Sequence, residues 1–276
     1  MKLLTPNKNV VKSFNRLWGP ETKEREAIYL FEDEKEPFND GMIPGISFFN
    51  RGDALLEEIF NKIRKSVANG KSPCRQDVET AVFLLDGIYH TNLNNHLQIA
   101  EMVYKLLLYG LLQRILKPRE IVKESDNEAI ECVDAIARAG KIINKNNYYN
   151  YSFSTKFCHW LNPNGFPIYD SIASGLLVYY LCSEDCEDII RNRPNLLIKK
   201  IKGAQFGLEV LGKYSNYVDA YKLFMKQYKL EECSLKEIDV FLWTYGKALK
   251  HVKWSGSKFC SIHYTELENN SFLNTF

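Results

Sequence analysis

The chain has 276 residues, 45% of them hydrophobic and 25% charged, enough to bury a substantial core in one or two compact domains. Lys plus Arg number 36 against 34 Asp plus Glu, a formal charge of +2, which excludes nucleic-acid binding driven by net charge and leaves any such contact to a local patch. No apolar run approaches the roughly 20 residues of a membrane helix, so no membrane partner is expected. The opening MKLLTPNKNVVKSFNR lacks the long apolar stretch of a secretory signal, and a cytoplasmic protein is expected.

Seven cysteines (Cys74, Cys132, Cys158, Cys182, Cys186, Cys233 and Cys260) are odd in number and mostly far apart. They read as reduced thiols. Only Cys182 and Cys186 lie close together, with no second pair or histidine cluster at zinc spacing, so neither a metal nor another cofactor is expected.

In chain order, residues 1–50 read as a loop-rich N-terminal region. WGPE, EKEPFNDG and MIPG set Pro and Gly between short apolar pieces such as IYLF and ISFF, which suit short strands or turns. Beyond it, apolar residues recur at spacings of three and four, and the chain reads as mainly α-helical. Helices are predicted at 53–68, 76–88, 95–116 and 127–144, then at 154–161, 170–182, 206–212, 216–229 and 235–250. Ser234 followed three residues later by Glu237 is a capping-box pattern, the clearest boundary in the chain. The stretch NKNNYYNY at 144–151 is the best internal break, dividing a helical subdomain (51–145) from a second helical region (146–276). An acidic cluster (Glu184, Asp185, Glu187, Asp188) precedes a basic one (Arg191, Arg193, Lys199, Lys200, Lys202) across Pro194, a pattern of solvated faces or helix ends before one of phosphate binding.

The most informative segment is Tyr151 to Ser171, YSFSTKFCHWLNPNGFPIYDS. Ser152 and Ser154 suit the cap of a short helix beginning near Thr155, and Asn162-Pro163-Asn164-Gly165 supplies turn chemistry to stop it. Pro167 holds Phe166 extended, and Asp170 or Ser171 caps the next helix. Helix, tight loop, helix is thus expected, with Lys156 in a first turn and Asp170 at the start of the following helix.

Lys156 and Asp170 carry a resemblance to the helix-hairpin-helix DNA glycosylases, in particular the 8-oxoguanine DNA glycosylase-like branch. In that family a lysine opens a helix after a small or hydroxyl residue, as Thr155 stands here, and a Pro-containing loop leads to a helix-capping aspartate, as Pro167-Ile168-Tyr169-Asp170 does. The segment SLKEIDVFLWTYGK, 234–247, looks like the helix that closes the helical domain of such proteins. The family's hairpin carries a Leu-Pro-Gly-Val-Gly type turn before the lysine, where glycine amides meet a DNA phosphate; this chain has NYYNYSFS there, without glycine.

The resemblance implies a catalytic Lys156 and Asp170 acting on DNA that contains a modified base. A lysine amine attacks carbon only when neutral, and burial together with a helix N-terminus favours that form. Lys156 would attack the anomeric carbon of a flipped nucleotide and leave a Schiff base open to strand cleavage, while Asp170 stabilises charge on the sugar or manages protons. Trp160, Phe166 and Tyr169 would line the base pocket, and His159 would bond a base edge. Each has a plainer alternative: a surface lysine, an N-cap, a structural histidine, core aromatics. A non-catalytic nucleic-acid or modified-nucleotide binding module of the same fold is the second functional class, consistent with the missing glycines, and a helical interaction protein is the third. Walker, dinucleotide, kinase and HExxH motifs are not evident, which disfavours those chemistries.

Overall fold

The computed structural model describes residues 4–16, 46–91, 93–119, 127–143, 149–181 and 213–251. The fold is mainly α, and no strand occurs among the described residues. Two compact units are distinguished: Gly45–Tyr169, and a second formed by Met1–Pro44 with Asp170–Phe276.

The unit Gly45–Tyr169 contains α2 (Ile46–Ala68), α3 (Arg75–Tyr89), α4 (His96–Leu106), α5 (Leu112–Leu116), α6 (Asn127–Ile143) and α7 (Tyr151–Leu161). In α2 the buried positions Leu56, Ile59, Phe60 and Ile63 recur at three and four, as do Val78, Ala81, Val82, Leu85 and Ile88 in α3. Each helix therefore turns one apolar stripe inward. Leu107–Leu111 forms a wider π-type turn between α4 and α5, where Tyr109 and Gly110 leave helical geometry. Gly110 has φ 96°, a left-handed value open to a residue without Cβ. The helix predicted at 95–116 is consequently two, separated by a kink.

The other unit contains α1 (Lys8–Arg16), α8 (Ser171–Leu181), α9 (Tyr214–Gln227) and α10 (Leu235–His251). Helix α10 packs against α1 and α8, and α8 also meets α9. Phe14 of α1 sits edge-on to Phe241, ring centroids 5.4 Å apart, and contacts Tyr245 at 5.2 Å. The Leu4 peptide is bonded at both ends: its N–H donates to the Tyr245 hydroxyl (3.0 Å) and its carbonyl accepts from the Tyr180 hydroxyl (2.7 Å). Gly246 lets α10 approach α8 closely, since a Cβ there would lie 2.5 Å from Ile172 Cγ2. The Ser234–Glu237 capping box forms as read: the Ser234 amide donates to Glu237 Oε2 at 2.7 Å and the Glu237 amide to Ser234 Oγ at 3.2 Å.

Several expectations are corrected. The N-terminal 50 residues are not loops with short strands throughout: α1 occupies 8–16, and ISFF is the first turn of α2. The loop chemistry ends at Pro44 and Gly45, and the residues from Ile46 onward carry a helical pattern of apolar spacing instead of an alternating one. The units also divide at Pro44/Gly45 and Tyr169/Asp170, so the stretch 144–151 falls inside one of them. The IYLF piece, the predicted helix 206–212, the charge clusters 184–202 and Cys182, Cys186 and Cys260 lie outside the described residues. No described helix is long and apolar enough to cross a membrane.

Candidate functional site around Lys156

Helix α7 occupies the middle of its unit, packing against α2, α3, α5 and α6. Its residues from Phe153 to Leu161 are all buried, including Ser154, Thr155, Lys156 and His159. Polar side chains survive there only with partners. Ser154 Oγ donates to the Asn150 carbonyl (2.7 Å), and Thr155 Oγ1 donates to the Tyr151 carbonyl (2.8 Å). The start of α7 differs from the sequence reading. Asn150 is the N-cap, its Oδ1 accepting from the Phe153 amide at 2.9 Å, so the helix begins at Tyr151 and neither Ser152 nor Ser154 caps it. Lys156 therefore stands in the second turn, beyond the part of a helix where the N-terminal dipole acts most strongly.

Apolar packing surrounds this helix. Phe157 meets Phe60 edge-on at 5.2 Å and Phe153 at 5.8 Å, and Trp160 stacks near Phe60 at 6.3 Å. Burial pushes the Cys158 thiol well above its ordinary value, so two residues beyond Lys156 the chain holds an inert sulfur rather than a nucleophile.

The turn after α7 folds back along it. Asn162 Nδ2 donates to the carbonyls of Ile115 and Lys117, both at 2.8 Å, and the Gly165 amide donates to the Asn162 carbonyl at 3.0 Å. The returning stretch of chain is stitched to α7 at three side chains. His159 Nδ1 lies 2.8 Å from the Phe166 carbonyl, which only accepts, so that nitrogen carries the hydrogen. Thr155 Oγ1 accepts from the Tyr169 amide at 3.0 Å, and Lys156 Nζ donates to the Tyr169 carbonyl at 3.4 Å. Arg119 lies over the Phe166 ring, 5.7 Å from its centroid, and also bonds Glu128. With Lys117 as the strongest influence and Arg114 and Arg119 assisting, the Glu128 carboxyl is held at about 2.

Lys156 is 2% exposed. Its amine donates to Ser152 Oγ at 2.7 Å and lies 5.5 Å from the centre of the Tyr89 ring, in addition to the Tyr169 carbonyl. The Tyr89 hydroxyl in turn donates to Asp53 Oδ1 at 2.6 Å. Ser152, Tyr89, Tyr169 and Asp53 are each partly open to solvent, whereas the amine is not. A hydroxyl, a carbonyl and an aromatic face are thus among the groups around this shielded primary amine.

Of the residues singled out from sequence, Lys156, His159, Trp160, Phe166 and Tyr169 belong to this unit. His159, Trp160 and Phe166 are buried at 1%, 5% and 0% exposure, and Tyr169 is half-buried. Asp170 opens the other unit as the cap of α8: its Oδ1 accepts from the Ile172 amide at 2.8 Å and, more distantly, from the Ala173 amide at 3.4 Å. Ser152, Tyr89 and Asp53 were not anticipated. Ser152 stands four residues before Lys156, a spacing that becomes a contact once the helix is known to start at Tyr151. Tyr89 and Asp53 come from two other helices and carry no sequence signal linking them to the lysine. No group of three or more His, Cys, Asp or Glu suited to a metal occurs among the described residues.

Comparison with known proteins adds a boundary. Residues 47–165 match a protein family described as HI_0787_N, an N-terminal domain, and this span nearly coincides with the unit 45–169 that holds Lys156. An uncharacterized protein of Haemophilus influenzae is 27% identical over 217 residues, covering 77% of this chain and 92% of that relative. No solved structure matches the chain.

Proposed function

We propose that this chain is a cytoplasmic DNA glycosylase, of the base-excision repair type, that removes an oxidised or otherwise modified base and uses Lys156 as its nucleophile. The observation that carries the reading is a lysine amine buried in α7 and contacted by a hydroxyl, a carbonyl and an aromatic ring. A buried amine with such neighbours is the kind of group that forms covalent intermediates with sugar carbons. Lys156 Nζ attacks the anomeric carbon as the glycosidic bond breaks and the base departs with the bonding pair and a proton. The opened sugar is then held as an imine, from which β-elimination cleaves the strand in a lyase step. To Asp170, the cap of α8, the resemblance assigns the stabilisation of positive charge on the sugar. Tyr169, half-buried, is the ring offered to the extruded base, with Trp160 and Phe166 assigned to the same pocket and His159 to a base edge, as the resemblance implies. No cofactor takes part in this scheme.

A second reading is favoured by one observation. Where the family resembled by Lys156 and Asp170 presents glycine amides to a phosphate, this chain presents Asn150, whose side chain already occupies the Phe153 amide. A nucleic-acid or modified-nucleotide binding module without cleavage is consistent with that substitution. Borohydride trapping separates the two. The purified protein is incubated with duplex and single-stranded oligonucleotides carrying a panel of modified bases, with undamaged DNA and Lys156→Gln as controls. A covalent adduct requiring both the modified base and Lys156 is expected. Absence of adduct and of base release across the panel, from a folded protein, overturns the lyase reading, and binding that survives Lys156→Gln then supports the binding module.

A further inference from the structure

A buried amine needs a route for its proton, and three groups around Lys156 differ in whether they can supply one. The Tyr169 carbonyl accepts hydrogen bonds but has no hydrogen to pass on, and the Tyr89 ring face offers only its π-electrons. Ser152 differs, because a hydroxyl accepts and donates at the same time. Its Oγ lies 2.7 Å from Lys156 Nζ, and among the described residues it donates to no other group. Lys156 is 2% exposed, whereas Ser152, one turn earlier on α7, is half-buried and reaches solvent.

We propose that Ser152 is the positioning residue and proton relay of Lys156. The inference rests on the reading of Lys156 as a nucleophile. In the relay, an ammonium proton of Lys156 passes to Ser152 Oγ while the proton already on that oxygen leaves to a solvent water. One N–H bond and one O–H bond break, and two O–H bonds form. The products are a neutral amine, an unchanged serine hydroxyl and hydronium, with no oxidant or metal required. Run in reverse, the same path returns a proton to the amine when an imine is resolved by water. The hydrogen bond also fixes the amine's direction, since Ser152 and Lys156 share one helix and the pair holds without any other segment moving.

The test reads the amine before it reads DNA. Exchange of the Lys156 ammonium hydrogens with water is followed by nitrogen-detected magnetic resonance in the full chain, for wild type, Ser152→Ala and Ser152→Thr. Ser152→Ala is expected to slow exchange about tenfold or more, the scale of losing a positioned proton-transfer group, and Ser152→Thr to restore it. The same variants are then taken through borohydride trapping, where Ser152→Ala should slow adduct formation and flatten its pH dependence. Unchanged exchange in Ser152→Ala overturns the relay even if wild-type protein traps DNA. Slowed exchange with no adduct from any protein leaves the relay standing and overturns the lyase reading instead. Slowing in both variants also overturns the relay, because a retained hydroxyl should then have worked.

Discussion

Replacing Thr155 by valine isolates the bond that ties the returning chain to α7. Thr155 is wholly buried, and its Oγ1 donates to the Tyr151 carbonyl at 2.8 Å while accepting from the Tyr169 amide at 3.0 Å. Valine keeps the β-branched shape and with it the restricted side-chain rotamer, but turns a methyl toward the Tyr169 N–H. The Tyr151 carbonyl lies in a helix where a backbone amide also reaches it, so its loss is small. The Tyr169 amide lies beyond the end of α7, where no helical ladder supplies an acceptor, and leaving a donor of this kind unmade costs about 1–3 kcal/mol. Hydrogen exchange at the Tyr169 amide measures that cost locally. In Thr155→Val its protection should fall by roughly 5- to 140-fold relative to amides inside α7, at about 1.4 kcal/mol per factor of ten. Thr155→Ser, which loses only a methyl worth about 0.8 kcal/mol, should retain the protection of Tyr169 relative to α7. Equal protection of Tyr169 in the valine variant and wild type would refute the assignment of Thr155 as the clasp.

Two further outcomes are expected in other parts of the molecule. Burial opposes the charge on Asp86, but bonds from Thr91, His96 and the Leu93 amide outweigh it and hold the carboxyl below its ordinary 3.8. A carboxyl whose folded value is depressed stabilises the fold above its unfolded value and loses that contribution as pH falls through the folded one. Asp86→Asn should therefore lower the thermal midpoint at neutral pH, and the gap from wild type should close below pH 3.8; a gap that widens in acid contradicts the sign. In the other unit, Gly246→Ala gains about 1 kcal/mol of helix propensity but places a Cβ 2.5 Å from Ile172 Cγ2. Overpacking of this kind costs about 1–3 kcal/mol, so denaturant titration should show a net loss of up to about 2 kcal/mol, and a stabilised variant would show that α8 and α10 can part without penalty.

The helical character of the chain was legible because its signal is redundant. Leu56, Ile59, Phe60 and Ile63 repeat the inward stripe of α2 several times over, and Ser234 with Glu237 announces the start of α10 within four residues. The start of α7 was less legible, because the two serines read as its cap, Ser152 and Ser154, stand close beside Asn150, a side chain equally able to accept from a backbone amide. Local chemistry does not rank them. What decides is tertiary: Asn150 Nδ2 is also bonded to the Thr91 carbonyl at 2.8 Å, which anchors that residue and leaves the hydroxyls to bond inside the helix. The kink at Gly110 was hidden for a related reason, since the apolar spacing of Leu107, Leu111, Leu112 and Ile115 continues across it. Around Lys156 the helix and the loop after it were legible, but the groups that touch the amine are partly remote. Ser152 is four residues away, whereas Tyr89 arrives from α3, with Asp53 of α2 bonded to its hydroxyl, through packing alone.

The central burial of α7 bears on how the unit is made during synthesis. Its sequence is rich in Ser, Thr and aromatic residues, which hold a helix weakly on their own, so its helical state depends on being surrounded. It is also the last described helix of the segment 45–169 to leave the ribosome, after α2, α3, α5 and α6 have emerged with the apolar faces it will cover. Until residue 161 is out, Phe60 lacks the rings of Phe157 and Trp160 that pack against it. A chain ending before Tyr151 thus leaves uncovered the faces of α2, α3, α5 and α6 that meet α7, the state in which apolar surfaces find one another in neighbouring chains. The helix that carries the candidate nucleophile is in this sense also the keystone of its unit: assembly of the core and assembly of the amine's surroundings are one event.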